Sequence, residues 1–108
     1  HITAMGSDAE HKNELDPKII QECDLYVADK QSQTAVLGEL HHAIKVKLVS
    51  SEKKYNDLGS IINKDVQGRS SKDSITVCDL TGTGVQDTAI ARYTFDLAMK
   101  KNFGLQLN

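Results

Sequence analysis

Two segments of this 108-residue chain show an apolar run that stops at a turn of small and acidic residues, with a helical pattern after it. In the first segment, Gly6-Ser7-Asp8 follows the apolar run Ile2-Thr3-Ala4-Met5. In the second, residues 79–84 follow the run Ile75-Thr76-Val77-Cys78. Parallel α/β sheets bind ligands at the carboxyl ends of their strands, where the chain turns in this way. The sequence therefore predicts an α/β fold with a ligand site at one edge of its sheet.

Predicted strands and helices alternate along the chain. Apolar runs predict three parallel strands, near residues 2–5, 25–28 and 75–78, with crossover helices between them. A long helix is predicted from about Val85 to Lys101. Because the first strand begins at His1, with no start methionine and no lead-in, we expect the chain to be the C-terminal portion of a larger α/β enzyme.

Local signals predict where the other helices begin and break. Asp16-Pro17 is typical of a helix start, because Asp caps free amides and Pro fits the first helical position. Residues 34–44 are predicted to be helical in part, with a break near Gly38, and Ser50 to cap a further helix. Residues 67–74 are polar and are predicted to form a loop. Apolar residues that recur at spacings of three and four predict the inner face of each of the last two helices. In the helix capped by Ser50 they are Tyr55, Leu58, Ile61 and Ile62, and in the final helix they are Ile90, Tyr93, Leu97 and Ala98.

Composition excludes several classes of protein. The net charge is -2, from 13 basic and 15 acidic residues, and no basic stripe with aromatics indicates nucleic-acid binding. Apolar runs stay well below the roughly 20 residues of a membrane span. Cys23 and Cys78 stand alone in apolar settings, which favours free thiols in a reducing, cytoplasmic compartment over a disulfide or a catalytic thiol. His41-His42 predicts no metal site, because adjacent helical residues point about 100° apart.

Two roles are open for the polar residues at the ends of the predicted strands. Asp8 has the position of a catalytic carboxylate, which accepts a proton or stabilises a cationic imine, and also that of a turn or helix cap. Lys12 is either a partner of Asp8, a phosphate ligand or a solvated lysine. Gly82 and Gly84 suit either a tight turn or the close approach of a ligand to the backbone.

Several motifs together resemble the ornithine cyclodeaminase/mu-crystallin family and occur in the family's order. They are His1 to Asp8, Lys12, Glu14-Leu15, Gly38-Glu39-Leu40, Gly68-Arg69-Ser70-Ser71, Asp79 to Gly82 and Gln86-Asp87. The resemblance spans nearly the whole chain. It implies that residues 1–108 are the C-terminal portion of a Rossmann-like NAD(P)-binding domain, with the glycine-rich fingerprint and the substrate domain upstream.

The resemblance also implies an activity and a set of site residues. Family members are NAD- or NADP-dependent oxidoreductases, usually homodimers, that transfer hydride between an amino-acid Cα and nicotinamide through an imine. Asp8 falls at the family's catalytic aspartate, and Thr81 falls beside the substrate. The positions that line the cofactor are Ile2, Thr3, Ala4, Met5, Lys12 and Leu80.

This chain departs from the family pattern at three places. Glu10-His11 replaces a frequent Pro-Gly before Lys12, Thr3 replaces Asn, and Leu80 replaces a frequent Ser, which leaves only a backbone contact to cofactor there. Without the upstream residues, we expect the isolated chain to be inactive and to bind cofactor poorly. We also expect it to oligomerise or to pair with a partner segment, such as the missing upstream part. The alternative is a non-catalytic, crystallin-like protein that binds a small ligand or partner.

Overall fold

The structure, a computed structural model, describes residues 1–105. Within these residues the chain forms four strands and five helices, which alternate as an α/β fold. In chain order they are β1 (Ile2–Ala4), α1 (Pro17–Glu22), β2 (Leu25–Ala28), α2 (Gln31–Leu37), α3 (Glu39–Lys45), β3 (Asn56–Asp57), α4 (Leu58–Ile62), β4 (Thr76–Asp79) and α5 (Gly84–Lys100).

The strands form one parallel sheet in the order β1-β4-β2-β3. Ile2–Ala4 lie opposite Val77–Asp79 on one side of β4, and Leu25–Ala28 lie opposite Thr76–Asp79 on the other. The three predicted strands and their parallel pairing are therefore confirmed. Because all strands point the same way, the loops after β1, β2 and β4 meet at one edge of the sheet.

The fourth strand, β3, was not predicted, and the helix predicted to begin at Ser50 is wrong. Residues 50–55 form a turn and an irregular segment, and α4 has only five residues. Tyr55 is held on the sheet instead. Its ring packs edge-on to the ring of Tyr26, with 4.7 Å between the ring centroids, and its backbone N–H donates to Gln31 Oε1 at 2.9 Å. Ile62, predicted to face inward, is 69% exposed.

The core lies between one face of the sheet and helices α1 and α3. Alternation along the strands directs Tyr26, Ala28 and Val77 to this face, where Ile20 of α1 and Leu40 of α3 are buried against them. The Asp16 side chain accepts the Lys18 N–H at 2.9 Å before Pro17, as the start signal predicted. Gly38 separates α2 from α3, which confirms the predicted break.

The long helix α5 confirms the predicted C-terminal helix but leaves its side chains uncovered. Apolar side chains point to several sides of α5, so the single apolar face predicted from the sequence is only part of the pattern. The exposed large apolar residues of this helix are Val85, Ile90, Tyr93, Phe95, Leu97 and Met99. Exposed apolar side chains in such number are typical of a surface that contacts another part of a protein or a partner.

The remaining sequence expectations concern the loop, the thiols and the membrane. Residues 67–74 form a loop, and Arg69 donates to the Ser74 carbonyl at 2.9 Å. Cys23 and Cys78 are free thiols, with Cys78 buried and Cys23 half-buried. None of the helices in residues 1–105 has both the length and the apolar character needed to cross a membrane.

Candidate functional site

The predicted site residues lie on β1 and in two loops at the carboxyl edge of the neighbouring strands β1 and β4. Residues 5–15 after β1 form the Asp8 loop, and residues 80–83 after β4 form the Thr81 loop. The Leu80 N–H donates to the Ala4 carbonyl at 2.8 Å, which extends the pairing of the two strands to their last residues. The parallel register thus brings the two predicted segments to the same edge, although they are more than 60 residues apart in sequence.

Asp8 and Lys12 form an ion pair on the outside of the Asp8 loop. The Lys12 ammonium donates to Asp8 Oδ1, and both side chains are about half exposed. The hydrogen bond and the charge of Lys12 lower the pKa of Asp8 below its ordinary value. Asp8 is therefore a carboxylate at neutral pH, which can accept a proton or stabilise a neighbouring cation.

The Asp8 loop is closed by hydrogen bonds of its own residues. The Lys12 N–H donates to the Ala9 carbonyl at 2.9 Å, so the turn before Lys12 forms with Glu10-His11 in place of Pro-Gly. The Gly6 N–H donates to Glu14 Oε2 at 2.7 Å. A Cβ at Gly6 would overlap that carboxylate, so the close approach requires glycine.

The four predicted cofactor residues around β1 divide between the two faces of the strand. Ala4 is buried and Ile2 packs against the core, so their side chains face the helices. Thr3 and Met5 are exposed, and only these two offer side chains to a ligand outside the domain. At Leu80 the backbone N–H is already used by Ala4, which leaves its carbonyl and side chain for any contact.

Asp29, at the carboxyl end of β2, holds the Thr81 loop. Its Oδ2 accepts the backbone N–H groups of Thr81 and Gly82, both at 2.9 Å. The Thr81 hydroxyl donates to Asp29 and accepts from Gln33 Nε2 at 2.9 Å. Thr81 is buried, and both its backbone N–H and its hydroxyl have partners within the domain. In this structure its hydroxyl therefore stabilises the loop. Gly82 adopts a φ of +82°, a backbone conformation that favours glycine.

Asp79, the last residue of β4, is a buried carboxylate behind the site. Oδ2 accepts the Tyr26 hydroxyl at 2.7 Å and the Leu40 N–H at 3.1 Å, whereas Oδ1 has no partner among the described residues. Burial, partly offset by these hydrogen bonds, raises the pKa of Asp79 above its ordinary value. The same burial, reinforced by the charge of Asp79, raises the pKa of the Tyr26 phenol.

Sequence reasoning did not assign roles to Asp29, Asp79 or the buried Glu39. The two aspartates carried a usable signal, because an acid directly after an apolar strand stands at the functional edge of a parallel sheet. Glu39 carried no such signal, since an acid at a helix start is ordinarily exposed. Within residues 1–105, neither His41 nor His42 belongs to a group of three or more His, Cys, Asp or Glu side chains that could hold a metal ion.

The sequence of this chain is similar to a known protein family and to several of its members. The model of the ornithine cyclodeaminase/mu-crystallin family matches residues 1–102. The chain is 54% identical over 104 residues to the uncharacterized cyclodeaminase y4tK of Sinorhizobium fredii, covering 96% of this chain and 31% of that protein. It is 37% identical over 101 residues to the iminosuccinate reductase of Paracoccus denitrificans, covering 94% of this chain and 31% of that protein.

Two solved structures share the fold. The crystal structure of the Paracoccus denitrificans iminosuccinate reductase in complex with NAD+ matches with a TM-score of 0.88 and 33% identity. An archaeal alanine dehydrogenase dimer with bound NAD matches with a TM-score of 0.86 and 32% identity. Each match covers 100% of this chain and 33% of the other chain, so the chain spans about a third of the length of its relatives.

The family match covers both loops of the site and all four strands of the sheet. The predicted resemblance is therefore confirmed, and the chain belongs to the ornithine cyclodeaminase/mu-crystallin family.

Proposed function

We propose that this chain is the C-terminal portion of the Rossmann-like domain of an NAD- or NADP-dependent oxidoreductase that acts on an amino acid or imino acid. The observation that carries the proposal is the anionic Asp8 carboxylate, paired with Lys12, at the carboxyl edge beside β4. The reductase and dehydrogenase relatives, whose structures hold NAD, support this class of reaction.

In the proposed reaction Asp8 handles the charge that develops on the substrate nitrogen. When bound, a nicotinamide cofactor would supply hydride transfer to or from the substrate Cα, and the amine would then interconvert with a cationic iminium. Asp8 stabilises the cationic iminium, or accepts a proton from the amine or from water, because it is an exposed carboxylate whose pKa lies below its ordinary value. Asp8 donates a proton only after it has taken one from the amine or from water, since the carboxylate paired with Lys12 carries none.

The residues around Asp8 fit a cofactor wall only in part. Thr3 and Met5 expose their side chains at this edge, and Lys12 supplies a cation for a phosphate or a donor for a ribose hydroxyl. Ile2 and Ala4 contribute through backbone and shape, because their side chains lie toward the core. Leu80 contributes through its carbonyl or its side chain, and Thr81 forms the wall on the substrate side.

The remaining surface fits a domain whose upstream part lies elsewhere in the same protein. β1 is at the edge of the described sheet, and the sheet face opposite the core lines an open cavity of about 360 Å³, with Leu25, Val27 and Cys78 in its walls. The apolar side chains of α5 are uncovered as well. We propose that the upstream segment of the polypeptide covers these surfaces and supplies the glycine-rich fingerprint, and that the complete protein forms a homodimer.

The test is a pair of substitutions in the full-length protein. Asp8→Asn is expected to lower turnover at least about a hundredfold while cofactor still binds, because general acid–base groups contribute roughly 10²–10⁴-fold. Lys12→Ala is expected to weaken cofactor affinity more than turnover. Steady-state kinetics over a panel of amino and imino acids, with NAD(P)H fluorescence titration, measures both quantities.

The matched controls are Asp73→Asn and Lys72→Ala, which make the same changes on exposed residues of the 67–74 loop. Near-normal turnover of Asp8→Asn on every substrate that the wild type accepts would exclude the catalytic role. A full-length protein that binds an imino acid without turning it over would instead support the non-catalytic alternative.

A further inference from the structure

Glu39, the first residue of α3, is a buried carboxylate with four hydrogen-bond donors. It is 1% exposed. Its Oε1 accepts the Glu14 N–H at 2.9 Å and the Ser7 hydroxyl. Its Oε2 accepts Asn13 Nδ2 at 2.7 Å and the Leu15 N–H at 3.1 Å. A single buried side chain thus contacts four residues of the Asp8 loop.

The partners of Glu39 explain how an anion is tolerated at this depth. Among residues 1–105, no Lys or Arg side chain forms an ion pair with it. Its charge is stabilised by the four donors, since hydrogen bonds to an ionised acceptor are the stronger kind. Removing the charge or one oxygen would therefore leave loop donors without a partner.

The donors are arranged around the two predicted functional residues. Ser7 directly precedes Asp8, and Asn13 directly follows Lys12. Because one carboxylate binds both flanks, the segment between them is closed into a short loop that projects Asp8 and Lys12 outward. His42, one turn further along α3, binds the Lys12 carbonyl through Nε2 at 2.6 Å.

We propose that Glu39 is a positioning residue for this site, which holds the Asp8 loop in the geometry that aligns Asp8 and Lys12. Its effect on turnover rests on the proposed function, whereas its hold on the loop does not. Glu39 contacts neither substrate nor cofactor in this proposal, and it acts only through the loop.

The test is Glu39→Gln in the full-length protein. Each carboxylate oxygen now accepts two donors, so the amide nitrogen of Gln faces two donors whichever way it is turned. We expect amide hydrogen exchange at Glu14 and Leu15 to accelerate at least about tenfold, and turnover to fall at least about tenfold. Leu40→Ala is the matched control, because it removes core packing from the same helix and keeps the Glu39 carboxylate. It is compared at the Glu14 amide, since the Leu15 side chain packs against the same core.

A double-mutant cycle with Asp8→Asn separates positioning from general loss of stability. If Glu39 acts through Asp8, Glu39→Gln lowers turnover much less in the Asp8→Asn background than in the wild type. An equal fold-loss in both backgrounds would overturn the positioning role. Asn13→Ala removes a single donor from an exposed residue, and it is expected to give a smaller effect in the same direction if Glu39→Gln does not fold.

Hydrogen exchange keeps this inference distinct from the proposed function. If the full-length protein turns over no substrate, the proposed function fails, while faster exchange at Glu14 and Leu15 in Glu39→Gln still supports the hold on the loop. Exchange within about threefold of the wild type at both amides would overturn the inference, whatever the activity.

Discussion

Replacing Asp29 with alanine tests whether a side chain on β2 holds the loop after β4. In the wild type, Asp29 Oδ2 accepts two backbone N–H groups, from Thr81 and Gly82, at 2.9 Å each. Oδ1 lies 3.2 Å from the Thr81 hydroxyl. Asp29→Ala removes these three contacts together with the bond from the Lys30 N–H to Oδ1 at 2.7 Å, and it leaves the buried Thr81 amide without an acceptor.

The expected magnitude follows from the two main-chain bonds. Hydrogen bonds to a charged acceptor contribute about 1.5–3 kcal/mol each, and the half-buried position of Asp29 reduces this to about 1–2 kcal/mol. The loop therefore loses about 2–4 kcal/mol of local stability. Since about 1.4 kcal/mol corresponds to a factor of ten, amide exchange at Thr81 and Gly82 is expected to accelerate by about thirtyfold or more.

The assay is amide hydrogen exchange of the wild type and three variants. Asp29→Asn keeps an acceptor oxygen in place, and it should accelerate exchange by less than about tenfold. Asp24→Ala is the matched control at the other end of β2, where Asp24 Oδ2 accepts only the Ile75 N–H at 2.7 Å. It should affect the start of β4 and leave Thr81 unchanged. If Asp29→Ala leaves Thr81 and Gly82 within about threefold of the wild type, the reasoning is refuted.

Two further predictions concern the packing behind the site. Because burial raises the pKa of Asp79, the native state keeps its proton to higher pH than the unfolded chain does, so the free energy of unfolding should fall as pH rises above about 4. Urea unfolding between pH 4 and 8 should show a flatter profile for Asp79→Asn, and identical slopes would contradict the assignment. Gly38→Ala should destabilise by about 1–3 kcal/mol, since its Cβ would lie 2.8 Å from Asp79 Oδ2 and 2.9 Å from Thr34 Cα. Gly59→Ala, with open space around it in α4, should be neutral or stabilising by up to about 1 kcal/mol, and equal thermal shifts for the two variants would count against this contrast.

The positions of most elements and of the Asp8 and Thr81 loops could be predicted, because their signals are local. A short apolar run that ends at small or acidic residues predicts both a strand and its carboxyl end. Asp16-Pro17 likewise marks the start of α1, and Gly38 marks the end of α2, through local capping and backbone preferences. Parallel pairing then implies that the loops after residues 2–5 and 75–78 lie at the same edge, before any contact is known.

Other features depended on contacts that leave no local pattern. The two-residue β3 has no apolar run, and it forms because its residues pair with Val27 and Ala28 of β2. The apolar spacing around Tyr55 matched a helix, but edge-on packing of its ring against Tyr26 holds that residue at the sheet. Which side chains of β1 face a ligand was likewise set by the helices packed on one face of the sheet.

The amino-acid sequence by itself determined that this is a parallel α/β chain of the ornithine cyclodeaminase/mu-crystallin family, and where its candidate acid stands. Only the tertiary structure decided what holds that acid and the neighbouring Thr81 loop in place. Glu39 reaches residues 24 to 32 positions away, and Asp29 reaches residues 52 and 53 positions away. Bonds across such separations form only after the sheet and helices have packed, so the sequence does not show which residues these two carboxylates hold.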